Sequence, residues 1–350
     1  MIHFKNLVKT GAGLVAAAAM LANCSPSANE DGGSQTPAST ESSADSDETG
    51  AENLSREERV EAALAETQAM IDQALATNGP GSPALWKLAD EDTTIHIFGT
   101  VHILKPEIDW RTDTFNQAFN AADKLVFEID LHTPEGLQAV GTEMIGAAMF
   151  QDGRKLSDVL SESDKEIVAN AAQGLGIPLA SMDPVEPWFA ALSLANAQFA
   201  KDGFDPESGV EMVLVAEAQA QEKSFDFLET AALQAGIFDN LEMEAQIDML
   251  VESAMTLDLS GEMLDTLTAE WSDGDVSGLG LIAANPDAAG DEAFYNALFK
   301  SRNENWVPQI EAMLDEPGTV MIAVGAGHLA GQDSVITMLE AKGHTLTRVQ

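Results

Sequence analysis

The sequence predicts an α/β domain, in which a central sheet carries helices on both faces and the middle of the chain forms a large helical insertion. Short apolar runs typical of strands occur towards both ends of residues 56–350, whereas residues 134–315 show mostly helical patterns between Gly and Pro turns. Residues 319–325 form an uninterrupted apolar run, as in strands that are buried on both faces. We therefore expect this run to lie centrally in the sheet.

Local patterns predict the other elements in chain order. Residues 56–77 carry an apolar stripe at helical spacing and end at the helix breakers of residues 78–81, which predicts an amphipathic helix. Apolar runs on either side of the acidic turn at 90–92 predict the first two strands. The elements expected after the first helix are strands at 84–88 and 93–99, a helix at 111–122, a strand at 124–129, the helical middle, the strand at 319–325, a helix at 331–342 and a strand at 345–349.

The composition restricts the classes of function. Hydrophobic residues make up 45% of the chain, which is typical of a globular protein and not of a disordered one. The 58 acidic and 17 basic residues give a formal charge of −41. Because no surplus of Lys and Arg exists to neutralise phosphates, this balance argues against nucleic acid as a partner. It argues equally against electrostatic docking on anionic lipid.

The first 24 residues have the composition of a secretory signal. Lys5 and Lys9 precede a run of small apolar residues at 11–22, which is shorter than the roughly 20 residues that a membrane-spanning helix needs. Cys24, the only cysteine of the chain, ends this segment. Its position resembles that of the lipidated cysteine in a bacterial lipobox. The alternative is an ordinary cleaved signal that is followed by an unrelated cysteine.

These features predict an exported protein of the cell envelope that is anchored by a lipid on Cys24. Ser25 follows the cysteine, which by resemblance to lipoproteins in general favours the outer membrane and a position facing the periplasm. Residues 25–55 contain no aromatic and no basic residue and predict a disordered acidic linker. We therefore expect the folded domain to span residues 56–350 and to contact the membrane only through its anchor.

Three predicted strands end in side chains that could act together. His102 and His328 each follow a glycine by three residues at the end of an apolar strand, and Glu128 ends a third apolar run. Open α/β sheets bind their ligands at the carboxyl ends of the strands. A carboxylate such as Glu128 is costly to bury without a cation, which a metal or an arginine would supply. Two imidazoles and one carboxylate match the ligands of a catalytic metal site, although a single Gly-x-x-His motif is more often a loop histidine.

These motifs, and their order along the chain, resemble those of the TraB/GumN family, which includes the PrgY pheromone-shutdown proteins and the animal Tiki proteases. The matching stretches are 85–88, 96–110, 122–130, 203–214, 227–230, 302–306 and 323–335. The family is similar in motif layout to erythromycin esterases and to a group of haem-binding lipoproteins. The resemblance therefore implies a fold of that kind and leaves both hydrolysis and haem binding open.

The resemblance also implies roles for individual residues. His102, Glu128 and His328 correspond to the residues proposed to hold a divalent metal, for which Mn, Co and Zn are the candidates. Arg302 would bind a substrate carboxylate or an oxyanion, or else pair with a surface acid. Glu229 would act as a second general base or have a structural role. The matching acids Asp205 and Glu211 are expected to be a turn residue and a helix-start residue.

The sequence therefore supports three hypotheses. The first is a metal-dependent hydrolase that acts on peptides or small molecules at the cell surface or in the periplasm, with Glu128, Glu229 and Arg302 as catalytic residues. The second is a non-catalytic protein that binds a secreted peptide or haem. Haem is the less favoured cofactor, because the chain has no Cys-x-x-Cys-His motif and Tyr295 is its only tyrosine. The third is an envelope scaffold, for which the linker is the only support.

Overall fold

The structure, a computed structural model, describes residues 55–286 and 292–350. The predicted signal at 1–24, the predicted lipidation site Cys24 and all but the last residue of the predicted linker lie outside the described residues. Within the described ranges, no helix is both long enough and apolar enough to cross a membrane.

The described strands form one mixed sheet. Neighbours in it follow the order β4-β3-β5-β2-β1-β6. Strands β4, β3, β5 and β2 are parallel, whereas β1 runs antiparallel to both of its neighbours. The strands are β1 (Leu85–Ala89), β2 (Thr93–Thr100), β3 (Lys124–Phe127), β4 (Ser224–Phe227), β5 (Gly318–Gly325) and β6 (Leu346–Arg348).

Helices fill most of the chain between the strands, and β1 and β2 are joined directly by a turn. In the described residues these helices are α1 (Arg56–Ala74), α2 (Asp113–Ala121), α3 (Pro134–Ala148), α4 (Leu156–Val159), α5 (Glu162–Gly174), α6 (Pro187–Lys201), α7 (Val210–Ala220), α8 (Ala231–Asp239), α9 (Met243–Asp273), α10 (Val276–Ala283), α11 (Glu292–Tyr295), α12 (Ser301–Met313) and α13 (Val335–Ala341). Short 3₁₀ turns occur at Leu179–Met182, Pro206–Ser208 and Ala326–Leu329, and a π-helical turn at Asn296–Lys300 leads into α12.

Side chains of β5 alternate between two cores, one on each face of the sheet. Met321 and Ala323 join the larger core, which includes side chains of α1 and of helices α5 to α9. Val320, Ile322 and Val324 join the smaller core, to which α12 and α13 contribute. Because β5 is covered on both faces, its unbroken apolar sequence is explained by burial.

The predicted α/β class, with helices on both faces of a central sheet, is confirmed. The run at 319–325 lies in β5 and is an internal strand, as expected. Strand β4, a four-residue edge strand, lies inside the stretch that was expected to be helical. The strand expected at 124–129 ends at Phe127, so Glu128 lies just beyond the sheet. The helix expected from residue 331 begins at Val335.

Candidate functional site

The carboxyl ends of the four parallel strands bring the predicted residues to one edge of the sheet. His102 lies two residues beyond β2, and Glu128 directly follows β3. Glu229 lies two residues beyond β4, and His328 is in the 3₁₀ turn that follows β5. Since these strands are parallel neighbours, their ends meet at the same edge.

A buried arginine joins two of these strand ends. Arg302, in the first turn of α12, places Nη2 at 2.5 Å from Glu128 Oε2. Its Nε lies 2.8 Å from Glu229 Oε1, and its Nη2 also donates to Glu229 Oε2 at 2.9 Å. The side chain of Arg302 is only 4% exposed. Charged hydrogen bonds of this kind are stronger than neutral ones, and a forked donor fixes the geometry of both carboxylates.

Other donors complete the hydrogen bonding of the two carboxylates. The backbone N–H of Gly325, at the end of β5, donates to Glu128 Oε1 at 2.7 Å. Gln234 Nε2, from α8, donates to Glu128 Oε2 at 3.0 Å and to Glu229 Oε2 at 3.3 Å. Trp306 Nε1 donates to Glu229 Oε1 at 2.8 Å. Burial raises the pKa of Glu128, but Arg302, followed by the two histidines, lowers it by more, so that the pKa is about 2. Glu128 is therefore ionised at neutral pH.

His328 is fully buried, and both of its ring nitrogens are bonded. Nδ1 lies 2.6 Å from Asn303 Oδ1, and Nε2 lies 2.9 Å from Arg302 Nη1. A guanidinium can only donate, so Nε2 accepts and Nδ1–H donates to the amide oxygen. Burial, and secondly the charge of Arg302, hold the pKa of His328 well below its ordinary value. The imidazole is thus neutral, and its ring packs against Trp306 at 4.2 Å between centroids.

His102 lies beside a carboxylate from another element. Its Nδ1 lies 2.8 Å from Glu211 Oε1, whereas its Nε2 has no hydrogen-bond partner among the described residues. Thr100 Oγ1 donates to the same Glu211 oxygen. Burial lowers the pKa of His102, but Glu211, followed by Glu128, raises it by more, so the pKa lies above its ordinary value.

Close backbone contact explains why Glu211 meets His102. Gly209 precedes α7, and a Cβ at this position would lie only 1.9 Å from the carbonyl oxygen of His102. Next to it, the N–H of Val210 donates to the Val101 carbonyl at 3.0 Å. Only glycine permits this approach, which brings the first turn of α7 against the segment after β2. Glu211 is therefore a helix-start residue, as expected, but it also belongs to the site.

A pocket opens beside these groups. Its cavity volume is about 20 Å³, which is room for about one water molecule. The side chains that line it are His102, Phe127, Glu128, Ile129, Leu131, Glu211, Val215 and Gln234. Four of these side chains are polar and four are apolar. A small cavity that is lined by several polar groups is suited to hold an ordered water molecule.

The predicted metal ligands do not converge as a ligand set in this arrangement. Arg302 lies between Glu128 and His328 and occupies the position at which a shared cation would interact with both. Among the residues that the structure describes, no group of three His, Cys, Asp or Glu side chains has the arrangement of a metal site. The ligand role of His102, Glu128 and His328 stays a prediction, and the residues as arranged do not fit a shared metal.

Sequence reasoning also left some members of the site without a role. Gln234 and Trp306 bind the carboxylates, and Asn303 fixes His328. Gln234 is in an apolar helix of the middle region, and a polar residue that is isolated there is the only signal in its favour. Asp205 was expected to be a turn residue, and its side chain caps the 3₁₀ turn Pro206–Ser208.

A comparison with known protein families gives a match that covers the site. The model of the TraB/PrgY/gumN family matches residues 84–348, a range that includes β1 to β6 and every described residue of the site. No curated protein and no solved structure matches the chain.

Proposed function

The chain belongs to the TraB/PrgY/gumN family, and on that basis we propose that it is a hydrolase that acts on peptides at the pocket beside His102. The observation that carries the proposal is the state of His102. This imidazole is more than nine-tenths buried, lies with Nδ1 2.8 Å from Glu211 Oε1, and lines the pocket with an Nε2 that has no hydrogen-bond partner. A base that is oriented by a carboxylate and still has a nitrogen for substrate is typical of general acid–base catalysis.

In the proposed reaction, His102 accepts a proton from a water molecule in the pocket. The water oxygen forms a bond to the carbonyl carbon of the substrate. Glu211 stabilises the imidazolium that results, as a buried carboxylate does beside other catalytic histidines. His102 then donates the proton to the leaving nitrogen as the C–N bond breaks. One water molecule is consumed, and one acid and one amine are formed.

Arg302 serves this site by positioning other groups. Its Nε–H and its two Nη groups donate to Glu128, Glu229, the carbonyl of Leu298 and His328. A guanidinium has five N–H donors, and these contacts engage all five. We therefore propose that Arg302 and Glu229 hold Glu128 at the pocket, and that neither of them transfers the proton.

As an alternative, we propose that a divalent metal activates the water molecule, as the family resemblance implies. Its support is electrostatic, because the carboxylates of Glu128 and Glu229 share a single guanidinium and leave an excess of negative charge, to which Glu211 adds beside His102. A metal bound there, Mn²⁺, Co²⁺ or Zn²⁺, would lower the pKa of its water. A proton on His102 would reduce the same excess of charge without a metal.

One experiment tests whether the protein hydrolyses peptides and whether His102 or a metal activates the water molecule. The purified full-length protein is treated with EDTA, incubated with a mixture of synthetic peptides and analysed by mass spectrometry for new termini. His102→Ala is compared with a control, His344→Ala, whose ring is bonded to Glu311 and does not line the pocket. Cleavage by the wild type and by the control, but not by His102→Ala, is expected.

Each result of this experiment decides one point. Activity that survives EDTA supports His102 as the base, whereas activity that needs added Mn²⁺, Co²⁺ or Zn²⁺ supports the metal. If no peptide is cleaved under any of these conditions, the hydrolase proposal fails. Binding of peptide or of haem without turnover would then support the alternative of a non-catalytic binder.

We also propose that the protein is exported and anchored to the outer membrane by a lipid on Cys24. The support is the sequence alone, in which the sole cysteine ends a signal-like segment. Cells that express the wild type or Cys24→Ser are labelled with a radioactive fatty acid. Label is expected on the wild type only, and equal labelling of both proteins would contradict the anchor.

A further inference from the structure

We propose that a second pocket, which lies between helices α1, α5, α6 and α9 and is called the helical pocket below, binds a small organic monocarboxylate with an apolar body. Its cavity volume is about 290 Å³, compared with about 20 Å³ for the pocket beside His102. The two pockets share no lining residue. This inference therefore goes beyond the proposed function and does not depend on it.

The size and the apolar lining of the helical pocket suit a compact organic ligand. Pockets that hold small organic molecules start at roughly 300 Å³, so this volume has room for one ring and a short chain. Ile167, Leu175 and Met255 are among the apolar side chains that line it. Ile167 and Met255 are more than nine-tenths buried, so the protein core holds them in place. We therefore expect them to contact the apolar body of the ligand.

The charged residues of the helical pocket favour a ligand with one negative charge. Arg56 and Lys201 line the pocket together with one acid, Asp258. In a chain with a formal charge of −41, two cations beside one acid reverse the usual balance. The net positive charge attracts an anion, whereas Asp258 would repel a second negative charge on the same ligand. We therefore infer a monocarboxylate and not a dicarboxylate or a phosphate.

Both cations are available to a ligand. Lys201 is an exposed residue at the end of α6 and forms no ion pair with the residues that the structure describes. Arg56 Nη1 lies 3.5 Å from Glu166 Oε2, but the side chain of Glu166 is 71% exposed, and such a surface pair contributes little to stability. Arg56 is also the first residue of α1, where the helix dipole disfavours a positive charge. A ligand carboxylate would provide a partner for both cations.

A glycine helps to keep the helical pocket open. Gly174 is the last residue of α5 and lines the pocket. A Cβ added at this position would meet no atom within 4 Å, and Gly174 is not among the glycines with positive φ. Neither close packing nor backbone conformation therefore requires a glycine here, although glycine is less favourable than alanine in a helix. The missing side chain leaves the space beside α5 free for a ligand.

Three related probes test whether both parts of the ligand are recognised. 4-Phenylbutyrate has a carboxylate and an apolar body, 4-phenylbutyramide lacks the charge, and butyrate lacks the ring. Each probe is titrated into the full-length protein, and binding is followed by calorimetry. Charged hydrogen bonds are stronger than neutral ones, and burial of a phenyl ring favours binding. We therefore expect 4-phenylbutyrate to bind at least about tenfold more tightly than either of the other probes.

Matched substitutions locate the binding. Gly174→Trp places a large side chain in the helical pocket, whereas Gly146→Trp adds the same side chain at an open position of α3 outside it. Lys201→Gln removes a cation from the pocket, whereas Lys165→Gln removes one that pairs with Glu162 outside it. The two pocket variants are expected to weaken binding of 4-phenylbutyrate at least about fivefold, and the two controls to leave it within about twofold.

Each outcome decides the proposal. Preferred binding of 4-phenylbutyrate that both Gly174→Trp and Lys201→Gln weaken supports it, whether or not the protein hydrolyses any peptide. Equal affinity for 4-phenylbutyrate and its amide, binding that either pocket variant leaves unchanged, or no binding to the wild type would overturn it. Asn170→Trp, at another exposed position that lines the pocket, replaces Gly174→Trp if circular dichroism shows that this variant does not fold.

Discussion

Arg302 and Glu128 form a buried ion pair at the edge of the sheet, with 2.5 Å between Nη2 and Oε2. The sequence indicates that Glu128 needs a cation and that either a metal or an arginine would serve. The structure places the arginine there. Arg302 comes from α12, which covers the smaller core, whereas Glu128 follows a strand, so the ion pair joins two layers of the fold.

We expect Arg302→Ala to destabilise the protein by about 3–5 kcal/mol, because it leaves the buried carboxylates of Glu128 and Glu229 without their cation. The free energy of unfolding is measured with urea at neutral pH. Arg154→Ala, which breaks the exposed pair with Asp152, is the matched control and should cost about 1 kcal/mol or less. Similar losses in the two variants would contradict a structural role for the buried network.

The same variant should change the pH dependence of stability. In the wild type the pKa of Glu128 is lowered from 4.5 to about 2, so its stabilising contribution is complete above 4.5 and is lost as the pH falls towards 2. Arg302 makes the largest of the interactions that lower the pKa of Glu128, and the Arg302→Ala variant lacks it. We therefore expect Arg302→Ala to lose much less stability than the wild type between pH 5 and pH 3, when unfolding is followed across that range.

Glu211→Gln should shift the acid limb of the pH–rate profile. Glu211 is the main group that raises the pKa of His102 against the effect of burial, and the proposed base must be deprotonated. In the wild type, kcat/KM is expected to rise with pH through a value above 6.5, whereas in Glu211→Gln it should rise at lower pH. A profile that does not move would show that Glu211 has only a structural role.

How much of the site the sequence predicts depends on what positions each residue. His102, Glu128 and His328 lie at the ends of apolar strands, and strand patterns are local, so their convergence at one edge could be predicted. Glu211 and Gln234 reach the site through the packing of α7 and α8, which depends on contacts across the fold. Strand β4 has only four residues with alternating exposure, and so short a pattern is not distinguished from the helices around it.

His328→Gln tests whether this residue acts as a ligand or as part of the protein core. Because Asn303 and Arg302 occupy its two ring nitrogens, its loss leaves both partners without a well-placed buried contact. We expect a loss of at least about 2 kcal/mol in the free energy of unfolding. Metal content, measured by elemental analysis after dialysis against Mn²⁺, Co²⁺ or Zn²⁺, should equal that of the wild type. A loss of metal with unchanged stability would instead support the predicted ligand set.

Glu270→Gln should stabilise the protein above neutral pH. Glu270 is a buried residue of α9, and its Oε2 has no hydrogen-bond partner. Burial, followed by the charges of Asp275 and Asp273, raises its pKa from 4.5 to about 7. The folded protein therefore retains a proton that the unfolded chain loses, and the contribution of Glu270 to stability is complete below 4.5 and is lost as the pH rises through 7. The shift corresponds to about 3 kcal/mol at most.

A glutamine has nearly the shape of the protonated acid but does not ionise, so Glu270→Gln should match the wild type at pH 5 and exceed its melting temperature at pH 8. Thermal unfolding at the two pH values measures the difference. Glu262→Gln, at an exposed position of the same helix, is the control for the change in net charge and should show no such difference. If both variants gained equally at pH 8, the effect would come from the reduced negative charge of the whole protein and not from the burial of Glu270.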